Sequence, residues 1–225
     1  MIFELPRLYP IFDASFLPRE DRQEFLRQMI TELAEAGVSL LQYRNKRGTE
    51  AEILSDAAVM RQAAGNRIKL IMNDRPDLAV RSDFDGAHVG QEDVSPEEAR
   101  RVLGDDRILG ISTHNRAQVE LADQQPVDYI ATGPVFATSS KANPDPVIGI
   151  EGVRETRSLT SKTLVAIGGI TVENAHGVLK AGADAVAVIS ALFAPGRRAG
   201  EAAREFLETL RSRQKLTPPK KLLRC

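Results

Sequence analysis

Eight short apolar runs, each separated from the next by a longer amphipathic stretch, restrict this chain more than any other feature. They read LYPIFD, SLLQYR, KLIMN, GAHVG, RILGIS, DYIATG, TLVAIG and AVAVIS. An alternation of this kind gives parallel strands, because each return to the sheet is made through a helix. Strands that are apolar almost throughout are covered on both faces. In the first long helix Phe25, Met29, Ile30 and Leu33 fall on one stripe, with Arg22, Gln23, Arg27 and Glu35 elsewhere, so one helix face is dry. Eight parallel strands leave two bare edges in an open sheet and none in a closed one, which favours closure over a doubly wound sheet. The expected fold class is α/β, a single-domain (β/α)8 TIM barrel over residues 1–212, followed by a basic tail over 213–225.

Local signals agree with this division. Thr49 and Glu52 have capping-box spacing, and Ser95, Pro96 and Glu98 stand at the N-cap, N1 and N3 of a predicted helix. Gly37 and Gly182 each follow an apolar-periodic run and precede a strand, which predicts left-handed helix ends and a weak repeat of one βα unit. The 225 residues contain no Ser/Gly-rich linker that would split them. A net charge of −1 gives no general reason to bind nucleic acid or an anionic membrane. The single cysteine, Cys225, is the last residue and fits a reducing compartment. Met1 is followed by Glu4 and Arg7 without an apolar leader, and no window reaches a membrane span, so a cytoplasmic location is expected.

In a barrel of this class the carboxyl ends of the strands carry the chemistry. After strand 2, Gln42, Arg44 and Lys46 alternate at period two and share one side of an extended chain. Strand 3 ends in Asn73 and Asp74, and strand 4 leads to Asp93; barrel neighbours bring these two carboxylates together. Paired carboxylates repel unless a proton or cation lies between them. With Arg44 and Lys46 beside them they suit a divalent cation that serves a diphosphate. The plain alternative is a set of solvated loop charges.

A second anion site is signalled by AIGGIT (166–171), where glycines after strand 7 open a helix, and by VISALF (188–193) after strand 8. Tight turns alone would also account for those glycines. Between the two lies a long loop that contains Thr138, Ser140, Lys141, Pro144 and Pro146, read as a lid or else as an unstructured insertion. Ser112 adds a hydroxyl at the end of strand 5. Two anion sites facing one mouth suggest two phosphorylated substrates and a transfer that expels pyrophosphate.

The segments LQYRNK, MNDRPDLA, DGAHVGQEDV, LGISTHN, DYIATGPVFATSSK, AIGGIT and GADAVAVIS resemble, in order and spacing, those of the thiamine-phosphate synthase (thiamine-phosphate pyrophosphorylase) family. The resemblance implies a transferase of thiamine biosynthesis. Its substrates would be 4-amino-2-methyl-5-pyrimidinylmethyl diphosphate and a thiazole monophosphate, its products thiamine phosphate and pyrophosphate. Carried over by motif, Asp74 and Asp93 bind Mg2+, while Gln42, Arg44, Lys46, Asn73, Ser112 and Lys141 bind the pyrimidine diphosphate. Within that set Lys141, Ser112, Arg44 and Lys46 serve catalysis, and Gln42 orients the ring. Thr138, Ser140, Gly169, Ile189 and Ser190 lie on the thiazole phosphate side. A homodimer is compatible with the resemblance.

Two departures stand out: Asn45 occupies a position where typical members carry glutamate, and Thr138-Ser139-Ser140-Lys141 replaces Thr-x-Thr-Lys, keeping the hydroxyl. Asn45 has no role derivable from sequence. His88, inside strand 4, is read as a satisfied barrel residue and His176 as a surface one, while His114 stands between structure and site. Three rivals remain: a thiazole tautomerase relative, a phosphate-barrel isomerase, and a non-catalytic binding barrel. The intact cation and carboxylate pairs, with the GQED and TSSK motifs, argue for the synthase.

Overall fold

The computed structural model describes residues 4–138, 145–194 and 196–212. Eight parallel strands close in sequence order: β1 (Leu8–Asp13), β2 (Leu40–Arg44), β3 (Lys69–Asn73), β4 (Gly86–Val89), β5 (Ile108–Thr113), β6 (Tyr129–Thr132), β7 (Thr163–Ile167) and β8 (Ala185–Val188), the last pairing back onto β1. Around them run α1 (Arg22–Ala36), α2 (Glu50–Ala64), α3 (Pro76–Arg81), α4 (Pro96–Leu103), α5 (Arg116–Gln124), α6 (Gly149–Leu159), α7 (Val172–Lys180), α8 (Ser190–Phe193) and α9 (Ala199–Ser212). A 3-10 turn, Ala14–Phe16, follows β1. The barrel expected from the alternation is thus the one observed. The basic tail over 213–225 lies outside the described residues. Among those described, no helix is long and apolar enough to cross a membrane.

The predicted helix signals act as their chemistry requires. Thr49 and Glu52 form a reciprocal capping box, with Glu52 Oε2 accepting from the Thr49 amide at 2.7 Å. Ser95 Oγ accepts from the Glu98 amide at 3.2 Å, and α1 ends on Gly37 at φ +94°, where a side chain would be strained. One detail of the α1 stripe is corrected. Leu26, not Phe25, joins Met29, Ile30 and Leu33 in the buried face, and burying one such side chain stabilises by about 2 kcal/mol. Phe25 is 38% exposed and lies against the Phe12 ring.

The core has two layers. Inside the barrel, Tyr9, Ile11, Leu40, Ile71, Ile108 and Val165 pack together. Between the strands and the helices lie Leu26, Ile30, Leu41, Met60, Leu70 and Phe206 among others.

The foot of the barrel carries a further repeat, which the sequence reading did not contain. Asp85, Asp128 and Asp184 each immediately precede an even strand and accept from the amides of Leu70, Leu109 and Leu164 at 2.8, 2.7 and 2.8 Å. Each also accepts from an arginine, Arg61 on α2, Arg100 on α4 and Arg157 on α6, at 2.8, 2.8 and 3.0 Å. The same arginines reach carbonyls beyond their own helices, those of Ile68, Arg107 and Lys162, at 3.1, 2.6 and 2.8 Å. A helix and the two strands after it are thereby tied at one point, so the repeating unit of these contacts is two βα units. The weak one-unit repeat at Gly37 and Gly182 is also present: each glycine has positive φ, follows a helix and stands three residues before a strand, β2 at Leu40 and β8 at Ala185.

Candidate active site at the barrel mouth

Because strand side chains alternate, the inward positions of each strand climb from foot to mouth two residues at a time. They change character as they climb. On β2 the order is Leu40, Gln42, Arg44; on β5 it is Ile108, Gly110, Ser112. The middle level is a hydrogen-bonded chain across the barrel. Gln42 Nε2 donates to the Tyr9 hydroxyl at 2.9 Å, the Tyr9 and Tyr129 hydroxyls bond at 2.9 Å, and His88 joins Tyr129 through Nδ1 and Ser112 Oγ through Nε2, both at 2.8 Å. Burial pushes both phenols above their ordinary range, so each hydroxyl keeps its proton and passes a hydrogen bond onward. Gly110 makes room for this chain: a Cβ there would stand 2.0 Å from Cζ of Tyr129.

His88 is therefore the satisfied barrel residue expected. His176, expected at the surface, is half-buried on α7. Tyr9 and Tyr129 were missed, because a tyrosine inside an apolar strand reads as core until closure shows what its hydroxyl meets.

Above this chain stand the charges. Arg44 bonds Asp13, the last residue of β1, which the sequence reading missed although the register sets the two side by side. Burial pushes the Asp13 carboxyl up, but hydrogen bonds from Ser15 and the Arg44 guanidinium outweigh it and hold the carboxyl below its ordinary value. Lys46 bonds Asp74. Asp74 is one of three non-glycine residues with positive φ among those described, at +64°, and its amide donates to the His88 carbonyl at 2.7 Å. That turn carries its carboxylate from the end of β3 across to Asp93. Asp93 is fixed in turn by the Gly90 amide, which donates to its Oδ2 at 2.7 Å; Glu92, beside it, is exposed. Burial first, and then Asp93, push the Asp74 carboxyl above its ordinary value despite Lys46.

A carboxyl whose proton affinity is raised by burial and by a second carboxyl beside it is suited to a cation. Among the described residues no group of three or more His, Cys, Asp or Glu side chains is placed to hold a metal. The fit is thus to an ion that takes one or two carboxylates and fills its other positions with phosphate oxygens and water, as Mg2+ does.

The opposite wall is built from backbone. Gly168 and Gly169 have φ of +103° and +60°. A Cβ on Gly169 would lie 2.5 Å from the Ala137 carbonyl oxygen, because the segment after β6 is pinned to β7 by the amides of Val135 and Phe136, which bond Ile167 O and Gly168 O at 2.9 and 3.0 Å. Thr138 and the β8–α8 junction at Ile189 and Ser190 complete this side. Between the walls is a cavity of about 440 Å³. Gln42, Arg44, Asn73, Ser112, Thr138, Gly169, Ile189 and Ser190 line it, as do His88 and His114. Lys46, Asp74 and Asp93 are not lining residues and stand beside Asn73. Ser140 and Lys141 lie outside the described residues. His114 bonds the Gly133 carbonyl through Nδ1 at 2.7 Å and stands 3.6 Å from Asp145, so its ring is held structurally while facing the cavity.

Comparison with known proteins agrees with this geometry. A family model described as thiamine monophosphate synthase matches residues 8–192. The chain is similar to the thiamine-phosphate synthase of Koribacter versatilis (strain Ellin345), 51% identical over 209 residues that cover 93% of this chain and 98% of that one. It is also similar to the thiamine-phosphate synthase of Agrobacterium fabrum, 43% identical over 163 residues, covering 70% and 74% of the two chains. Among solved structures it is similar to thiamine phosphate pyrophosphorylase from Pyrococcus furiosus, with a TM-score of 0.79 at 30% identity, covering 92% of this chain and 96% of that one.

Proposed function

The chain belongs to the thiamine monophosphate synthase family and is a thiamine-phosphate-forming transferase, and from that premise we propose how its mouth performs the transfer and with which residues. The observation that carries the proposal is the pairing of two unlike walls across one cavity. Arg44 and Asn73 line one side, with Lys46, Asp74 and Asp93 standing beside them, and the glycine turn at 168–169 lines the other.

On the charged wall Arg44, Lys46, Asn73 and Ser112 bind the diphosphate of the pyrimidine substrate, Gln42 orients the pyrimidine ring, and Lys141 is assigned to the diphosphate by its motif alone. Asp74 and Asp93 hold Mg2+, which supplies charge neutralisation to a departing diphosphate. On the other wall Thr138, Gly169, Ile189 and Ser190 take the thiazole monophosphate, and Ser140 is assigned to it by its motif alone. The C–O bond of the pyrimidine substrate breaks with its electron pair leaving on the diphosphate, and the thiazole nitrogen donates its lone pair to the resulting pyrimidinylmethyl cation. Thiamine phosphate and pyrophosphate are formed without a nucleophilic side chain. The protein's share is positioning, cation neutralisation and exclusion of water, since water would capture the same cation. The hydrogen-bonded chain supports this: it fixes Gln42 and Ser112 before substrate arrives, which lowers the reorganisation required at the reacting centre.

The test is product formation by the purified protein given both substrates. Pyrophosphate and thiamine phosphate should appear in equal amounts, only when both substrates are present, and formation should stop on chelation. Turnover unaffected by excess chelator would remove the metal from the proposal. Release of pyrophosphate without thiamine phosphate would remove the capture step.

A further inference from the structure

Between the two cations of the charged wall lies Asn45, and its side chain turns away from the mouth. Strand alternation sends Gln42 and Arg44 one way and Tyr43 the other; in the turn beyond β2, Asn45 joins Tyr43 while Lys46 meets Asp74. Asn45 Nδ2 donates to the Tyr43 hydroxyl at 3.0 Å, while its Oδ1 accepts from the amides of Arg47 and Gly48 at 3.2 and 2.7 Å. The Tyr43 hydroxyl donates to Asp56 on α2, and Asp56, buried to 2% exposure, is gripped by both arms of Arg22 on α1, with Nε at 2.7 Å. Gly48 leaves the space this arrangement uses: a Cβ there would stand 2.4 Å from Asn45 Nδ2.

We infer that Asn45 is a positioning residue that sets Arg44 and Lys46 for the diphosphate by tying the β2–α2 turn, through Tyr43, to the Asp56–Arg22 pair outside the barrel. The inference rests on the diphosphate reading of the charged wall. The donor direction explains the residue type. Tyr43 gives its one proton to Asp56, so its oxygen needs a donor from the loop; asparagine has one and a carboxylate does not. An acidic residue at this position would also set a second negative charge near buried Asp56. Asparagine meets both needs of the turn at once, a donor toward Tyr43 and an acceptor toward two backbone amides.

The experiment measures binding of inorganic pyrophosphate with Mg2+ by calorimetry, together with KM for each substrate, in the parent, Asn45→Ala, Tyr43→Phe and the double variant. Melting temperature establishes that each is folded. Asn45→Ala should weaken pyrophosphate binding about tenfold and raise KM for the pyrimidine diphosphate alike, leaving KM for the thiazole phosphate within about twofold. Tyr43→Phe, which keeps Asn45 bonded to the loop, should lose about threefold, and the double variant should be no worse than Asn45→Ala, as residues acting in one relay require. The inference is overturned if folded Asn45→Ala binds pyrophosphate like the parent, if both substrates weaken equally, or if the two losses multiply. A parent that binds pyrophosphate without forming thiamine phosphate would overturn the proposed reaction and leave this inference standing. A parent that binds none would overturn both.

Discussion

At the foot of the barrel Asp85, Asp128 and Asp184 each meet an arginine and a strand amide, whereas at the mouth Asp74 meets a second carboxylate, Asp93, and one half-exposed lysine. The same residue type is used to opposite ends. Where a carboxylate closes a gap between a helix end and two strands, one oxygen, Oδ2, accepts from both a strand amide and an arginine, and the contact stabilises. Where it is proposed to take a cation, the repulsion between two carboxylates is left in place. Sites that are strained or repulsive when unliganded are held by the scaffold around them, and here the foot is part of that scaffold.

The sharpest way to break the comparison is to cut a foot contact. Arg100→Ala removes a side chain that bonds the carbonyls of Gly104, Arg107 and Pro126 as well as Asp128. It should destabilise the protein by about 3 kcal/mol in urea unfolding while activity per folded molecule stays at the parent level. Activity lost in proportion to stability would mean that foot and mouth are not separable. At the mouth, Gly169→Ala sets a methyl against Ala137 O and Phe136 Cβ, 2.5 and 2.8 Å away. We expect about a tenfold rise in KM for the thiazole phosphate, with KM for the pyrimidine diphosphate unchanged. An equal rise in both would undo the division of the cavity into two walls.

The smallest effect is a pH dependence. A carboxyl raised in the folded state contributes stability that is complete below its unfolded value and lost as pH rises through the folded one. For Asp74 the ordinary value is 3.8. In chelator, Asp74→Asn should therefore match the parent in acid below that value and become the more stable of the two as pH rises toward neutrality. A difference that does not vary with pH would contradict the raised proton affinity assigned to burial and to Asp93.

The comparison also marks what sequence can reveal. Strand ends, caps and the glycine turn were legible because each is a local pattern: Thr49 with Glu52, Ser95 with Glu98, Asp74 at the close of KLIMND. The Arg–Asp ties of the foot were not, because their partners stand 24, 28 and 27 residues apart and meet only once two strands are paired. Asp13 was passed over for a similar reason: its partner Arg44 is fixed by register, not by spacing. Tyr9, His88 and Tyr129 come from three strands and form one polar level only in a closed barrel. Asn45, visible in sequence only as a departure from the family pattern, acquires a reason once Tyr43 and Asp56 are seen behind it.

Asp93→Asn tests the central claim most directly, since asparagine keeps an oxygen for the Gly90 amide but ends the repulsion with Asp74. Thermal stability and Mg2+-dependent formation of thiamine phosphate should be measured on the same preparation. The account predicts a melting temperature equal to or above that of the parent, with the rate reduced by about 100-fold or more. A variant that keeps the parent rate, or that loses rate and stability together, would contradict it.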